Sequence, residues 1–579
     1  MQTSPERSCI PTAKSSTRRR LPLFTAVNED AVHLVEFLPH PDPPDGPRTQ
    51  DERLSWPSRY WPKFDDDMQD RLVRNLVKLH HKDYFMGSGA ASQILLQLVV
   101  FLNSFLTIPI PYVTETNGCD YNPVRTSLAQ RRHLCRPLHL AGNIFDRLPP
   151  HAARKLRELQ AEIGSTVMGK KLCNLETNEY LKQLYKDSGD TLTHGPCIMH
   201  PGRRCPMYCA SCGYCTEIGA LDLDPEPNCD IMTCTTAGVP CVDTSAMNLH
   251  AAGDGGRSFT ATCLYLAERW AAGEDWHYIE CTDQWCSGMI RSALPPNYEV
   301  YRFSMQGKDV GDSYNRKRMG AFALNTSKYT LMRPLHTYLF YTGSQPMFSV
   351  AKFWSSNATE HTNEIAEMAE RRVHPVVAPG DLTWDDVLLP SEKRRRGEYE
   401  DSFEELVHQC QAVRGDFVYA DLHQSVHHCG RLGIQSQFAS APSSLPTLIT
   451  HGCLWNMTDR CPLTALGQCR AHVWPVSDGE MAKHGHMINW REELTQKSLT
   501  HIDVIQMLGD SWLILVQGPW LMFLLAIIEV NTTATPLATL SIHGDDHTED
   551  DDAECDANSD RSCLTSSVHS SSTEHSITD

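Results

Sequence analysis

The stretch "CDIMTCTTAGVPCVDTSAM", residues 229–247, decides how this chain is read. A strand-like run, "DIMTCTT", ends in a tight Gly238-Val239-Pro240 turn that delivers Cys241. A buried cysteine needs no such approach, because it packs like any small apolar residue. A second short apolar run, "WHYIE", ends 39 residues later in Glu280. Between the two lies "SFTATCLYLAERWAA" (258–272), which has helical periodicity. That spacing predicts one strand–helix–strand unit. Its parallel strands would point their carboxyl ends at one face, where open α/β sheets hold ligands. Cys241 and Glu280 are therefore expected side by side over one substrate. A thiolate beside a carboxyl group is a nucleophile with a proton-handling partner.

Outward from this unit, apolar runs alternate with amphipathic helices. "DDDMQDRLVRNLVKLHH" (65–81) has helical spacing with an acidic first turn, and "ARKLRELQAEI" (153–163) is a further helix. The alternation predicts an α/β fold with a mainly parallel, Rossmann-like sheet. Residues 1–64 read as a disordered N-terminal extension, and 65–339 as the main domain. Residues 340–445 lose the rhythm and read as a second, smaller and irregular domain. Periodicity returns over 446–540. "WLILVQGPWLMFLLAII" (512–528) sits at the lower length limit for a membrane span and is broken by Gln517-Gly518-Pro519. A buried core helix is the favoured reading, and no membrane partner is expected.

The chain has 579 residues, 41% of them hydrophobic, enough to bury a sizeable core. Its formal net charge is -19, of which the tail at 541–579 holds -10. That acidic, Ser-rich tail reads as disordered and solvating. The balance argues against a uniformly basic nucleic-acid binder. The polar N-terminus shows no secretory signal pattern, so the 22 cysteines are expected as thiols or metal ligands rather than a disulfide framework.

"DYFMGSGA" (83–90) precedes the apolar helix "ASQILLQLVVFL". Gly87 and Gly89 permit a tight strand-to-helix turn against a ligand, and the helix would lend it a positive dipole end. Asp120, in "NGCDYNP", is placed to accept ribose hydroxyls at the end of a second strand.

In their order along the chain, these residues resemble the C5-cytosine-specific DNA methyltransferase family, in a divergent microbial-eukaryote form. "DYFMGSGA" is similar to the family's cofactor loop, with Asp83, Phe85, Gly87 and Gly89. Asp120 resembles the acid that holds the cofactor ribose, and "GNIFD" (142–146), with Asn143, the segment flanking the adenine. "GVPCVDTS" (238–245) matches the nucleophile loop, with Pro240 beside the attacking Cys241. "ECT" (280–282) retains the glutamate of a Glu-Asn-Val motif as Glu280. "YNRKR" (314–318) retains two arginines, Arg316 and Arg318, and "RCPLT" (460–464) resembles a late Arg-x-Leu-Thr motif. "LGDSW" (508–512), with Gly509, Asp510 and Ser511, is similar to the motif that returns to the cofactor.

The resemblance implies S-adenosylmethionine as cofactor and transfer of its methyl group to C5 of cytosine in DNA, with RNA as the alternative substrate. A catalytically silent nucleic-acid-binding scaffold is a further alternative. It implies a covalent Cys241 adduct at C6 of a flipped-out base. Glu280 would engage N3 and the exocyclic amine, and Arg316 and Arg318 would anchor nearby, their bland role being a solvated pair. The segment 340–445 would be the target-recognition domain. Nuclear localisation follows, with the cytoplasm as alternative. Tyr314, Asn143, Asp510 and the Gly467-Gln468 pair depart from the family pattern.

Two features stand apart. A Cys-rich insertion (194–229) carries Cys205, Cys209, Cys212 and Cys215 at spacings that suit a structural zinc, with free loop thiols as the other reading. The basic runs "STRRR" (16–20) and "EKRRR" (392–396) suit phosphate contacts or nuclear import, or equally a solvated surface.

Overall fold

The structure is a computed structural model that describes residues 31–148, 150–162, 180–181, 183–184, 194–196, 204–206, 231–240, 261–267, 273–282, 285, 288–312, 316–345, 357–372, 382–409, 419–423 and 452–531. All lie in one unit, 1–531; the second, 532–579, falls outside the described residues together with the acidic tail.

Eight strands form the central sheet: β1 (Val32–Leu34), β2 (Leu79–Tyr84), β3 (Thr114–Cys119), β4 (His139–Ala141), β5 (Met232–Gly238), β6 (Trp276–Cys281), β7 (Tyr298–Met305) and β8 (Arg318–Asn325). Their spatial order is β1-β7-β8-β6-β5-β2-β3-β4. β2 pairs in parallel with both β3 and β5, and β5 in parallel with β6. From β2 the chain therefore winds outward through β3 and β4, then returns to build the other half from β5. The switch point lies between β2 and β5, where a doubly wound sheet opens its ligand crevice. β8 runs antiparallel between β6 and β7, which sets this sheet apart from an all-parallel dinucleotide-binding order. The fold class expected from the sequence, a Rossmann-like α/β sheet, is the one observed.

Both faces of the sheet are covered, and alternate residues sort between them. On β8, Phe322 and Leu324 enter the larger core, whereas Met319, Ala321 and Ala323 enter the smaller one. The larger core holds α1 (Asp66–Lys78), α2 (Ala90–Asn103) and a second largely apolar helix, Ile514–Ile527. Every residue of Ile514–Ile527 is buried, so the apolar stretch is a core helix. Among the described residues no single helix is long and apolar enough to cross a membrane. The carbonyls near its C-terminal end are met by α1: Asn75 donates to Leu525 O and Ile528 O, both at 2.8 Å, and Arg71 to Ala526 O at 2.8 Å. Those orphan acceptors would otherwise be buried unpaired. Gly518 lets the Trp56 ring approach, since a Cβ there would sit 2.8 Å from it.

β2 is unusual. It is buried, yet reads "LHHKDY". Two of its polar groups are met from distant segments: Lys82 pairs with Glu274 at 2.6 Å, and His81 bonds Thr236 at 2.7 Å. The helix predicted over 65–81 accordingly stops at Lys78, and β2 begins at Leu79.

Residues 31–64, expected as part of a disordered extension, instead pack into the body. Trp56 and Tyr60 are fully buried, and β1 extends the sheet edge beside β7. Arg53 is buried with a bidentate partner, Asp312, at 3.0 and 3.1 Å, and also donates to Arg470 O and Ala471 O.

A third core gathers around α3 (Ala358–Arg371) and α4 (Pro390–His408), with short strands at Tyr419–Asp421, Leu454–Asn456 and Cys461–Pro462. It takes Trp455 and Met457 from beyond residue 445, so the small core does not end where the sequence rhythm changes. The "EKRRR" run lies on α4, with its arginines engaged locally. Arg395 donates to Leu422 O at 2.9 Å, while Arg396 pairs with Asp385 and lies 5.1 Å over the Trp455 ring. The "STRRR" run lies outside the described residues.

Candidate functional site

At the switch point β2 passes through Phe85-Met86-Gly87-Ser88-Gly89 into α2. Phe85, Gly87 and Gly89 all have positive φ, at 52, 55 and 81°. At Gly89 the requirement is strict: a Cβ would fall 1.9 Å from a guanidinium nitrogen of Arg132. That arginine is itself held by the buried Glu115 at 2.8 Å. The Gly87 N–H donates to Asp120 Oδ2 at 3.1 Å, which ties the turn to the end of β3.

Asp120 is buried, and burial pushes its carboxyl above the usual range against the opposing pull of Arg125. It also accepts from Asn122 N at 2.9 Å and, weakly, from Arg125 at 3.5 Å. A carboxylate has room for about four such bonds, so about one acceptor position remains for a hydroxyl. Arg125 also pairs with Asp510. Asp83, on β2, accepts from Thr236 Oγ1 at 3.2 Å, and its Oδ2 has no partner among the described residues. Burial first, then the nearby Glu115, raises its carboxyl well above the ordinary range. Asn143 spends its side-chain oxygen on Phe145 N at 3.1 Å, capping a short helix beyond β4.

The "LGDSW" segment closes on the same corner. It spans the end of α5 (His501–Gly509) and the link to α6 (Ile514–Ile527). Ser511 and Ser88 share a hydrogen bond at 2.5 Å. The strand leading to Cys241 is packed against both: a Cβ on Gly238 would stand 3.3 Å from Trp512 Nε1 and 3.4 Å from Phe85 O. Gly238 is the register partner of Glu280 on β6, and Pro240 is the last described residue before Cys241. Cys241 lies outside the described residues.

Glu280 is buried at the carboxyl end of β6 and pairs with Arg318 Nε at 2.9 Å. Arg316 is buried and donates to Gly509 O at 3.0 Å and Leu508 O at 3.5 Å. Arg316 thus clamps the end of α5, while Arg318 orients the carboxylate. Neither is a solvated surface charge.

The structure brings Asp83, Phe85, Gly87, Gly89, Asp120, Pro240, Glu280, Arg316, Arg318, Gly509, Asp510 and Ser511 to the carboxyl-end side of the sheet around β2, β5 and β6. Asn143 stands further out, beyond β4. Arg125 and Arg132 were missed by sequence reasoning. Arg125 lies five residues after Asp120 on the helix Pro123–Arg131, a spacing that could have marked it. Arg132 has no such signal. The zinc reading falls largely outside the described residues: Cys205 lies on a two-stranded hairpin, while Cys209, Cys212 and Cys215 are not described. Among the described residues no group of three or more His, Cys, Asp or Glu is arranged to hold a metal.

No family model and no curated protein matches the sequence. Among solved structures the chain is similar to the Dnmt2 methyltransferase of S. pombe, at 10% identity over 77% of this chain and 98% of that one, with a TM-score of 0.35. The Entamoeba histolytica methyltransferase EhMeth gives the same four figures. A mutant Spodoptera frugiperda DNMT2 gives 10%, 77%, 99% and 0.33. At these scores the assignment of fold rests on the sheet order itself.

Proposed function

We propose that this chain is a methyltransferase that uses S-adenosylmethionine to methylate C5 of cytosine in DNA. One observation carries the reading: four segments spread over residues 85 to 512 meet at one corner of the sheet. They are the glycine turn at 85–89, the strand end at 238–240, the Glu280–Arg318 pair and the segment 509–512. The residues present fit a nucleoside cofactor with an amino-acid tail. The left-handed turn carries no side chain at 87 or 89, so a ligand can come close to the backbone at the start of α2, and Asp120 keeps about one acceptor position. Asp83, Gly87, Asp120 and Ser511 would hold that cofactor, which supplies an electrophilic methyl group when bound.

The remaining chemistry belongs to the chain. Cytosine C5 is a poor nucleophile until something adds to C6. The Cys241 thiolate adds there, forming a carbon–sulfur bond and pushing electron density to C5 and N3. Glu280, held by Arg318, hydrogen-bonds N3 and the exocyclic amine and offsets the charge that builds on the ring. After C5 is methylated it loses its proton, and the thiolate leaves as the ring double bond reforms. Because the base must leave its stack to be reached, the third core around α3 and α4 is proposed as the surface that holds the surrounding nucleic acid. A nuclear location belongs to the same reading.

A silent scaffold is the second reading, favoured by Asp120 being largely occupied and by the Arg125–Asp510 pair. Oligonucleotides carrying 5-fluorocytosine, as DNA and as RNA, separate the outcomes. The expected result is a denaturant-resistant adduct on DNA that is lost in Cys241→Ser. Adduct on RNA alone would move the substrate, and no adduct on either would leave the scaffold.

A further inference from the structure

Away from the sheet, α3 turns Glu360, Glu364 and Glu367 toward the segments that follow residue 452. Two of these acids have a basic partner. Glu360 pairs with Arg470 at 2.5 Å, and Glu367 accepts from the His501 ring and from its backbone N–H at 3.1 Å. A fourth acid, Glu392, is held by Arg372 at 3.0 Å and His423 at 2.8 Å. Glu364 differs. It is 4% exposed and accepts one hydrogen bond, from Ala465 N at 3.0 Å. Among the described residues it has no ion-pair partner of its own: His501 lies near, but its ring is spent on Glu367.

Glu364 lines a cavity of about 290 Å³ between α3 and α5, near the lower end of small-molecule sites. Trp384, Met368, Leu463 and Ile505 supply apolar wall. Gln468 also lines it and is 1% exposed, and its Oε1 has no hydrogen-bond partner among the described residues. A buried carboxyl with one hydrogen bond and no ion-pair partner, and a buried amide oxygen with no donor among the described residues, therefore border one partly apolar cavity. Burying such groups is costly unless a partner arrives. The neighbouring cations do not fill the gap, since Arg372 is committed to Glu392 and Arg371 stands exposed.

We propose that this cavity is a binding site for a small organic ammonium ion with an apolar or aromatic body. The ammonium pairs with Glu364 and donates to Gln468 Oε1, and the body lies against Trp384, whose ring face also favours a cation. Burial pushes the Glu364 carboxyl up to about 7, so taking up a cation near neutral pH draws a proton off it. The site is distinct from the corner around Gly87 and does not depend on the methyltransferase reading.

The test is calorimetric titration of the full chain with 2-phenylethylammonium, and in parallel with neutral 2-phenylethanol and anionic 3-phenylpropionate. The amine should bind at least tenfold tighter than the alcohol and more tightly than the acid, with net proton release at pH 7. Glu364→Gln should erase the preference, and Ile505→Trp, which fills the cavity, should abolish amine binding in a chain that still melts cooperatively. Equal binding of amine and alcohol, preference for the acid, or no binding of the amine to the unmodified chain would each overturn the proposal. If Glu364→Gln fails to fold, the three-ligand comparison on the unmodified chain still decides it.

Discussion

Glu364→Gln makes a prediction about stability that can be worked through from the structure. The carboxyl titrates at about 7 in the folded chain against an ordinary value of 4.5, and burial is the largest cause. Glu360 and Glu367 push in the same direction as burial, while His501 and the Ala465 N–H oppose it. A raised acid costs nothing while it is protonated in both states, below about pH 4. The cost grows as pH rises from 4.5 to 7, because the unfolded chain ionises first, and it is complete above 7. A shift of that size corresponds to about 3 kcal/mol. Gln keeps the shape and still accepts from Ala465 N, but has no charge to bury. The variant should therefore gain on the parent steadily across the window, reaching an advantage of about 3 kcal/mol by pH 8. Urea unfolding of both chains at pH 4.5, 6 and 8 measures this. A difference that stays flat across those three values would refute the buried-charge argument. Adding 2-phenylethylammonium at pH 8 should narrow the gap by stabilising the parent alone.

Further outcomes test other parts of the structure. Gly89→Ala should destabilise more than Gly87→Ala in urea unfolding. Both incur about 1–2 kcal/mol of left-handed strain, but only position 89 drives a Cβ into Arg132, whereas a Cβ at 87 meets Asp510 O at an ordinary 3.5 Å. Asp312→Ala should cost about 3–5 kcal/mol by thermal unfolding, because it leaves the fully buried Arg53 guanidinium without its counter-charge. Arg318→Ala should slow adduct formation on 5-fluorocytosine DNA by about a hundredfold with the melting temperature nearly unchanged, since it frees the Glu280 carboxylate it now orients.

Much of the candidate site is legible in the sequence because it sits where strands end. The strand into Cys241, the helix after it and the strand ending in Glu280 follow from spacing alone. The parallel register of Gly238 with Glu280 is what that spacing implies. Other parts are invisible for a physical reason: their partners are far away in sequence. β2 can do without the apolar character of most buried parallel strands because Lys82 and His81 are satisfied by Glu274 and Thr236, more than 150 residues on. Residues 31–64 look like a solvated extension by composition, yet Arg53 is swallowed by Asp312 and the carbonyls of 470–471. Glu364 lies in the stretch 340–445, where the sequence rhythm is lost and nothing singles it out. Only the fold shows that its neighbours have basic partners and that it has none among the described residues.

The helix Ile514–Ile527 lies against α1 and α2, from which it is separated by about 400 residues of chain. At synthesis rates of about 5–20 residues per second, the first two helices emerge from the ribosome tens of seconds before their lid exists. Until then the part of α2 that the late helix covers stays open, although Trp56 and Trp61 already pack on it. A product that stops short of residue 514 would lack the helix that completes the larger core over α1 and α2.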